Sequence, residues 1–337
     1  MKLAYFLRYY PTTTETFVYE EARALSALGH RVRCVAIGSR EQGEGPDWEV
    51  LRPPGYASLL RYLPRLPTWL SGHQRSKQVL KALWAVDQLE ADERVHCHFA
   101  GEAAEWALLA RQVRGTPYAV TVHAADLFKP RPALAEVLAE ADAVLTVSRH
   151  NRELIQQRYG VTARVVHCGV RASDWPRVTG GEHVLCVARD VPKKGLDVLV
   201  EAAELAGVSL LLAGPGTERL GGLGAVDKAT IRQLQARSRV FALACLEAPD
   251  GDRDGLPVAM MEAMCAGLPV VTTTLPGLEE LVPDEVGWRV PPGDAGALAE
   301  ALRRAFADDD KGARAREHVL AHFSLEDQVQ GVLAAHA

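Results

Sequence analysis

The chain has no paired-cysteine motif, no long apolar run and no excess of basic charge. Its six cysteines, Cys34, Cys97, Cys168, Cys186, Cys245 and Cys265, form no Cys-x-x-Cys pair, and most sit in apolar, strand-like segments. They read as buried free thiols of a reducing cytosol rather than as disulfides or zinc ligands. No apolar stretch approaches the roughly 18 residues that a membrane-spanning helix needs. Met1 to Leu7 is too brief, and too soon followed by Arg8, to be a signal peptide. A formal charge of −5 excludes the basic face of a general nucleic-acid binder. No Gly-x-Gly-x-x-Gly opens the first helix, which argues against a nicotinamide dehydrogenase. Repeats and low-complexity tracts are absent.

What is present is enough for two cores. The 337 residues are 48% hydrophobic, which fits two ordinary domains. Strand and helix signals alternate. In the first half, Leu3–Leu7, Arg31–Ile37, Val95–Phe99, Tyr118–His123 and Ala143–Ser148 read as strands. Glu15–Leu28, Ala103–Arg111 and Pro132–Glu140 read as helices. The Gly-, Ser-, Asp- and Pro-bearing run His167–Arg177 is the expected linker. A second series follows, with strands at His183–Arg189, Ser209–Ala213, Arg239–Ala244, Pro269–Thr273 and Gly287–Val290. Helices are expected at Gly195–Leu205, Ala229–Ala236, Pro257–Ala266 and Ala295–Phe306. This alternation predicts an α/β protein with parallel, doubly wound sheets. Ligands of such sheets sit at the carboxyl ends of the strands. Two sheets facing one cleft would put Arg8, His98 and His123 on one wall and Arg189, Gly214 and the loop before Pro257 on the other.

Three segments of the second half carry chemistry. Val187–Gly195 (VARDVPKKG) places cations at a strand end, which suits a diphosphate. Ala213–Thr217 (AGPGT) is either a phosphate-approaching turn or a plain one. Asp254–Val271 (DGLPVAMMEAMCAGLPVV) has Pro257 at an expected first helical position and an acid, Glu262, inside an apolar helix. Eight residues of helix would carry two carboxylates ~12 Å apart. Asp254 must therefore lie in the preceding loop if both acids serve one ligand.

In this order the segments resemble the C-terminal domain of GT-B fold family 4 glycosyltransferases. The acidic-x7-acidic pair is Asp254 and Glu262, continued by EAMCAGLPVV. Pro276–Val282 (PGLEELV) and Gly287–Asp294 (GWRVPPGD) are similar to two further family motifs. Thr14–Val32, Val95–Ala100 (VHCHFA), Thr121–Leu127 (TVHAADL), VSRHNREL and VVHCGVR match the first half. The bacterial branch that makes exopolysaccharides such as colanic acid is the one it looks most like.

The resemblance implies two Rossmann-like domains facing a cleft, at 1–168 and 175–321, with the C-terminal helix near 322–337 packing back on the first. It implies retaining transfer from a nucleotide-diphosphate-sugar to a glycan or lipid-linked acceptor, with no cofactor and no metal. Arg189 and Lys194 would hold the diphosphate, Glu262 the ribose, and Asp254 the donor sugar. Backbone N–H groups of Gly255 and Leu256, with Gly214 nearby, would complete the donor site. His123 would sit near the anomeric carbon, with His98 on the acceptor side. Three departures stand out. Asp254 replaces the family's Glu, Pro11–Thr16 (PTTTET) replaces a Gly-Gly loop, and the segment from Gly214 to Asp254 is short. The short segment and Asp254 motivate one alternative, a non-catalytic nucleotide-sugar-binding or scaffold subunit; a GT-B-fold sugar-nucleotide epimerase is a second.

One further stretch stands apart. From Val50 to Val86 there is no acidic residue, while Arg52, Arg61, Arg65, Arg75, Lys77 and Lys81 alternate with Tyr56, Tyr62, Trp69, Trp84 and leucines. That composition suits an anionic membrane surface, with core packing as the other explanation. The expected location is the cytoplasm, with peripheral membrane contact.

Overall fold

The computed structural model describes residues 1–12, 15–38, 48–65 and 76–337. Among the described residues the strands are β1 Lys2–Tyr9, β2 Arg31–Gly38, β3 Val50–Leu51, β4 Glu93–His98, β5 Tyr118–Val122, β6 Ala143–Thr146 and β7 Arg164–Val165, then β8 His183–Val187, β9 Ser209–Ala213, β10 Ser238–Ala242, β11 Val270–Thr273 and β12 Gly287–Val290. They form two sheets, ordered β3-β2-β1-β4-β5-β6-β7 and β12-β11-β10-β8-β9. Every pairing is parallel. The chain divides into two compact units. One comprises Met1–Val147, Arg152–Val166 and Val329–Ala337, and the other Ser148–Asn151 and His167–Gln328. The last helix, Leu325–Ala335, is divided between them.

In each sheet the strand order reverses once. The reversal falls between β1 and β4 in the first unit and between β8 and β10 in the second. Such switch points open a crevice at the carboxyl ends of the strands, where ligands bind in open α/β sheets.

The first sheet has two chemically different faces, because alternate strand residues point to opposite sides. Phe6, Val95, Cys97, Val120, Val122 and Val144 point to one side and join the apolar core with Leu80, Leu83, Ala104 and Leu138. Each of the valine, leucine and phenylalanine side chains among them, fully buried, contributes roughly 1.5–3 kcal/mol. The opposite side carries Tyr5, His96, His98 and Thr121, brought into line by the registers Tyr5↔His96 and His98↔Thr121. All four are buried.

The structure corrects one expectation. Helix Val258–Cys265 begins one residue late, with the extended Pro257 as its N-cap. In the stretch from Val50 to Val86, Leu59, Tyr62, Leu80, Leu83 and Trp84 are core residues. Their apolar surface belongs to the interior of the first unit. Tyr56, Leu60 and Leu63 are exposed on the turns Tyr56–Leu59 and Leu60–Arg65. Leu66, Trp69, Leu70 and Arg75 lie outside the described residues, as do Thr13 and Thr14 of the PTTTET run.

Candidate active site

The second unit gathers charge at its switch point. Strand β8 ends at Val187, and the turn Pro192–Lys194 leads into helix Leu196–Ala206 through Gly195. Gly195 has φ +58°, and a Cβ there would lie 2.0 Å from the Ala244 carbonyl oxygen beyond β10. Only glycine lets the start of this helix approach the chain beyond β10 this closely. The approach delivers Lys194 to Asp254, with Nζ 2.6 Å from Oδ2. Lys193 Nζ lies 3.1 Å from Asp252 and 3.5 Å from Asp254. The Cys245 thiol donates to Asp254 Oδ2 at 3.7 Å. Burial alone would raise the Asp254 pKa, but Lys194 and Lys193 outweigh it and hold the carboxyl below its ordinary value. Burial likewise opposes the Lys194 charge, and Asp254 overcomes it, so that lysine's pKa is raised.

Asp252-Arg253-Asp254 has the spacing of an Asp-x-Asp metal motif, and its two carboxylates are taken by Lys193 and Lys194. Asp254 stands in the loop ahead of helix Val258–Cys265, as the spacing argument requires. Gly255 and the buried Leu256 follow it directly. Within that helix Met260, Met261, Ala263, Met264 and Cys265 are fully buried, while Val258, Ala259 and Glu262 form the half-buried stripe. Arg189 follows β8, is exposed, and pairs with no carboxylate among the described residues. Gly214 has φ +131°, and a Cβ there would meet the Ala188 carbonyl oxygen at 2.1 Å. Packing of the β9 end against the β8 end is by itself enough to require glycine.

In the first unit the two histidines stand at adjacent strand ends. His98 closes β4, and His123 caps the short helix Ala124–Phe128 after β5. The Asp126 carboxylate accepts the His123 backbone N–H at 2.8 Å, which fixes this turn. His98 Nδ1 lies 3.4 Å from His123 Nε2. The His98 side chain is only 1% exposed, so it stands behind His123 rather than beside it at the surface. Burial, and then the neighbouring His98, keep the His123 pKa well below that of a free imidazole. The Phe99 ring lies tilted against that of His123, with centroids 4.3 Å apart, and Phe99 has φ +69°, the only positive φ at a non-glycine among the described residues. Backbone held there in a bulky residue is strained, and such strain concentrates at functional sites. Arg8, expected on the same wall, pairs loosely with Glu102 at 3.7 Å.

Two carboxylates escaped the sequence reading. Glu21 accepts a bond from His98 Nε2 at 2.9 Å and another from the Tyr5 hydroxyl. Its signal was a single acid on the apolar stripe of helix Thr16–Ala27, where Phe17, Val18, Ala22 and Leu25 are buried. Glu280, in the PGLEELV motif, accepts the backbone N–H groups of Arg149 and His150 at 2.6 and 3.2 Å and faces His167 Nε2 at 3.2 Å. Burial opposes its charge, and these donors prevail, so its pKa is lowered. Glu280 thereby caps the start of helix Arg149–Tyr159.

The chain matches known protein families over most of its length. The model for "Glycosyltransferase Family 4" matches residues 14–174, and that for "Glycosyl transferases group 1" matches 181–308. The chain is a family 4 glycosyltransferase. It is 28% identical to WcaL of Salmonella typhimurium, a glycosyltransferase assigned to colanic acid biosynthesis, over 97% of each chain. It is 28% identical to the amylovoran biosynthesis glycosyltransferase AmsK of Erwinia amylovora, over 90% of each. The glycosyltransferase also resembles solved structures. Sucrose-phosphate synthase from Thermosynechococcus elongatus superposes with a TM-score of 0.77 at 18% identity, covering 100% of this chain and 98% of that one. Anabaena Alr3699/HepE in complex with UDP and glucose gives 0.75 at 19% identity, covering 100% and 99%. These likenesses establish the GT-B fold.

Proposed function

We propose that this glycosyltransferase moves a sugar from a nucleoside diphosphate sugar to a glycan or lipid-linked acceptor, during assembly of an extracellular polysaccharide. The observation that carries the donor assignment is the cationic pair at the β8/β10 switch point. Arg189 is exposed and unpaired among the described residues, and Lys194 is anchored by Asp254 within 2.6 Å. Cations at this place neutralise charge developing on a departing diphosphate, the task a divalent metal performs elsewhere. Glu262 then takes the ribose and Asp254 the sugar. HepE, captured with UDP and glucose, supports the donor class, and the roles of WcaL and AmsK support the polysaccharide context.

Transfer proceeds with retention, by attack on the face that the diphosphate leaves, without a protein nucleophile and without a metal. His123 lies at the acceptor side of the anomeric carbon. The protein works at the cytoplasmic face of an anionic membrane. Tyr56, Leu60 and Leu63 recur at helical spacing on the exposed side of their turns, beside Arg61, and this supports the contact.

The experiment is a thermal-shift survey of nucleoside diphosphate sugars on the purified protein, followed by transfer or hydrolysis of the one that binds. A ligand that binds only the native state raises Tm. Stabilisation by one or a few donors, with sugar released from them, is expected. No stabilisation by any donor would overturn the assignment.

A further inference from the structure

Behind His123 the first unit holds a line of buried polar groups that the donor chemistry does not use. The Tyr5 hydroxyl donates to Glu21, Glu21 Oε1 lies 2.9 Å from His98 Nε2, and His98 Nδ1 lies 3.4 Å from His123 Nε2. A second short line runs beside it. Thr121 Oγ1 lies 3.1 Å from His96 Nε2, and His96 Nδ1 lies 3.0 Å from His336 Nε2. Glu21, His96 and His98 are donor types that could ligate a cation, and their ligand atoms lie within 4.8 Å of one another. Glu21 and His98 are hydrogen-bonded to each other, and His96 to Thr121 and His336.

We propose that Glu21 and His98 are positioning residues for His123, holding its imidazole in the tautomer protonated on Nε2 and leaving Nδ1 as an acceptor. The proposal rests on the reading of His123 as the acceptor-side group. The direction of the line follows from what each atom can do. A carboxylate only accepts, so Glu21 accepts a hydrogen bond from the Tyr5 hydroxyl and another from His98 Nε2. With the single N–H of a neutral His98 pointed at Glu21, its Nδ1 is left to accept. His123 Nε2 is the group within reach, and it must donate. Its Nδ1 is then the acceptor, turned toward the backbone N–H of Asp126 at the start of the helix. A substrate hydroxyl that reaches this nitrogen shares or displaces that N–H, and the Glu21 carboxylate behind His98 stabilises a proton that arrives there, as the carboxylate behind a catalytic histidine does. A length of 3.4 Å between the rings suits a ligand-free state, in which such bonds run long. The groups facing this line are Tyr5 on β1, Glu21 on the first helix, His96 on β4, Phe99, Asp126 beyond β5, and His336 near the C-terminus.

The first measurement needs no variant and no substrate. Nitrogen-15 spectra of the histidine-labelled full chain at pH 8 should show His123 protonated on Nε2, and protonation on Nδ1 would overturn the proposal. The second is kinetic. Glu21→Gln and His98→Gln should each lower kcat by roughly 10- to 100-fold, with donor KM unchanged. In Glu21→Gln the acid limb of the kcat profile should move to lower pH, because losing a negative charge makes His123 less basic. His336→Gln, which disturbs the same polar layer outside the line, should leave that profile in place. If His123→Ala is inactive but both line variants keep wild-type kcat and pH dependence, the proposal fails and His123 keeps its role. If His123→Ala transfers normally, the reading of His123 itself fails, and the proposal with it.

Discussion

Lys194 Nζ lies 2.6 Å from Asp254 Oδ2, so the lysine expected to hold the donor diphosphate is also the counter-ion of the acid expected to hold the donor sugar. Arg189 has no such duty. Substituting the two cations should therefore separate. Arg189→Ala should leave stability within about 0.5 kcal/mol of wild type while raising the transfer barrier by roughly 2–4 kcal/mol. Lys194→Ala should lose transfer and also destabilise the fold by about 1–3 kcal/mol, because a mostly buried carboxylate keeps only the more distant Lys193 and the weak Cys245 thiol donor. Urea titration beside steady-state kinetics distinguishes them. Normal turnover in both variants would place the donor elsewhere.

The two acids should divide their work. Glu262→Ala is expected to weaken binding of the nucleoside diphosphate alone and of the full donor alike. Asp254→Ala should weaken the full donor more than the nucleotide. Calorimetric titration with each ligand checks this, and equal losses throughout would contradict the assignment.

Activity should persist in EDTA, since Lys193 and Lys194 already occupy both carboxylates of Asp252-Arg253-Asp254. Transfer abolished by the chelator and restored by magnesium or manganese would show that this motif binds metal instead.

Asp126 gives a pH-dependent signature. Burial, opposed only in part by the backbone N–H groups of His123 and Ala100, pushes its pKa up to about 6. Between about pH 4, the ordinary value for an aspartate, and pH 6 the folded state binds more protons than the unfolded. Stability from this group therefore falls as pH rises through that window. Wild type should lose ground against Asp126→Asn between pH 4 and 6 in paired thermal melts. A constant difference in Tm would show that the carboxyl titrates normally.

Membrane contact should require anionic lipid and weaken as salt rises. Replacing Leu60, Arg61 and Leu63 together by serine should reduce pelleting with such vesicles without changing Tm. Equal partitioning into neutral and anionic vesicles would return this stretch to ordinary surface.

Much of this architecture can be read directly, because parallel strands buried on both faces appear as continuous apolar runs. Ser209–Ala213, Gly287–Val290 and Ala295–Phe306 agree to the residue. The two-residue strands β3 and β7 do not announce themselves, since neither has room for a pattern. Asp254, Glu262, Arg189 and Lys194 are visible as a motif because one short stretch supplies each. Glu21 and His98 are separated by most of a domain, and only the register of β1, β4 and β5 brings their elements together. Composition likewise cannot tell that Tyr62 and Trp84 fill a core, since an aromatic beside an arginine reads the same at a surface.

The return of residues Val329–Ala337 to the first unit has a consequence for biosynthesis. Val329 and Val332 are buried, Gly331 lies against Val166, and His336 is bonded to His96. As the chain leaves the ribosome, the N-terminal unit is synthesised first, yet its polar layer stays open until the entire second unit has been made. Domains ordinarily fold as units in order of emergence. Here the first must wait, partly assembled, for its own tail. Nascent chains arrested before Val329 should accordingly be more sensitive to protease in the N-terminal unit than completed ones, and a chaperone that shields this unit would act during that interval.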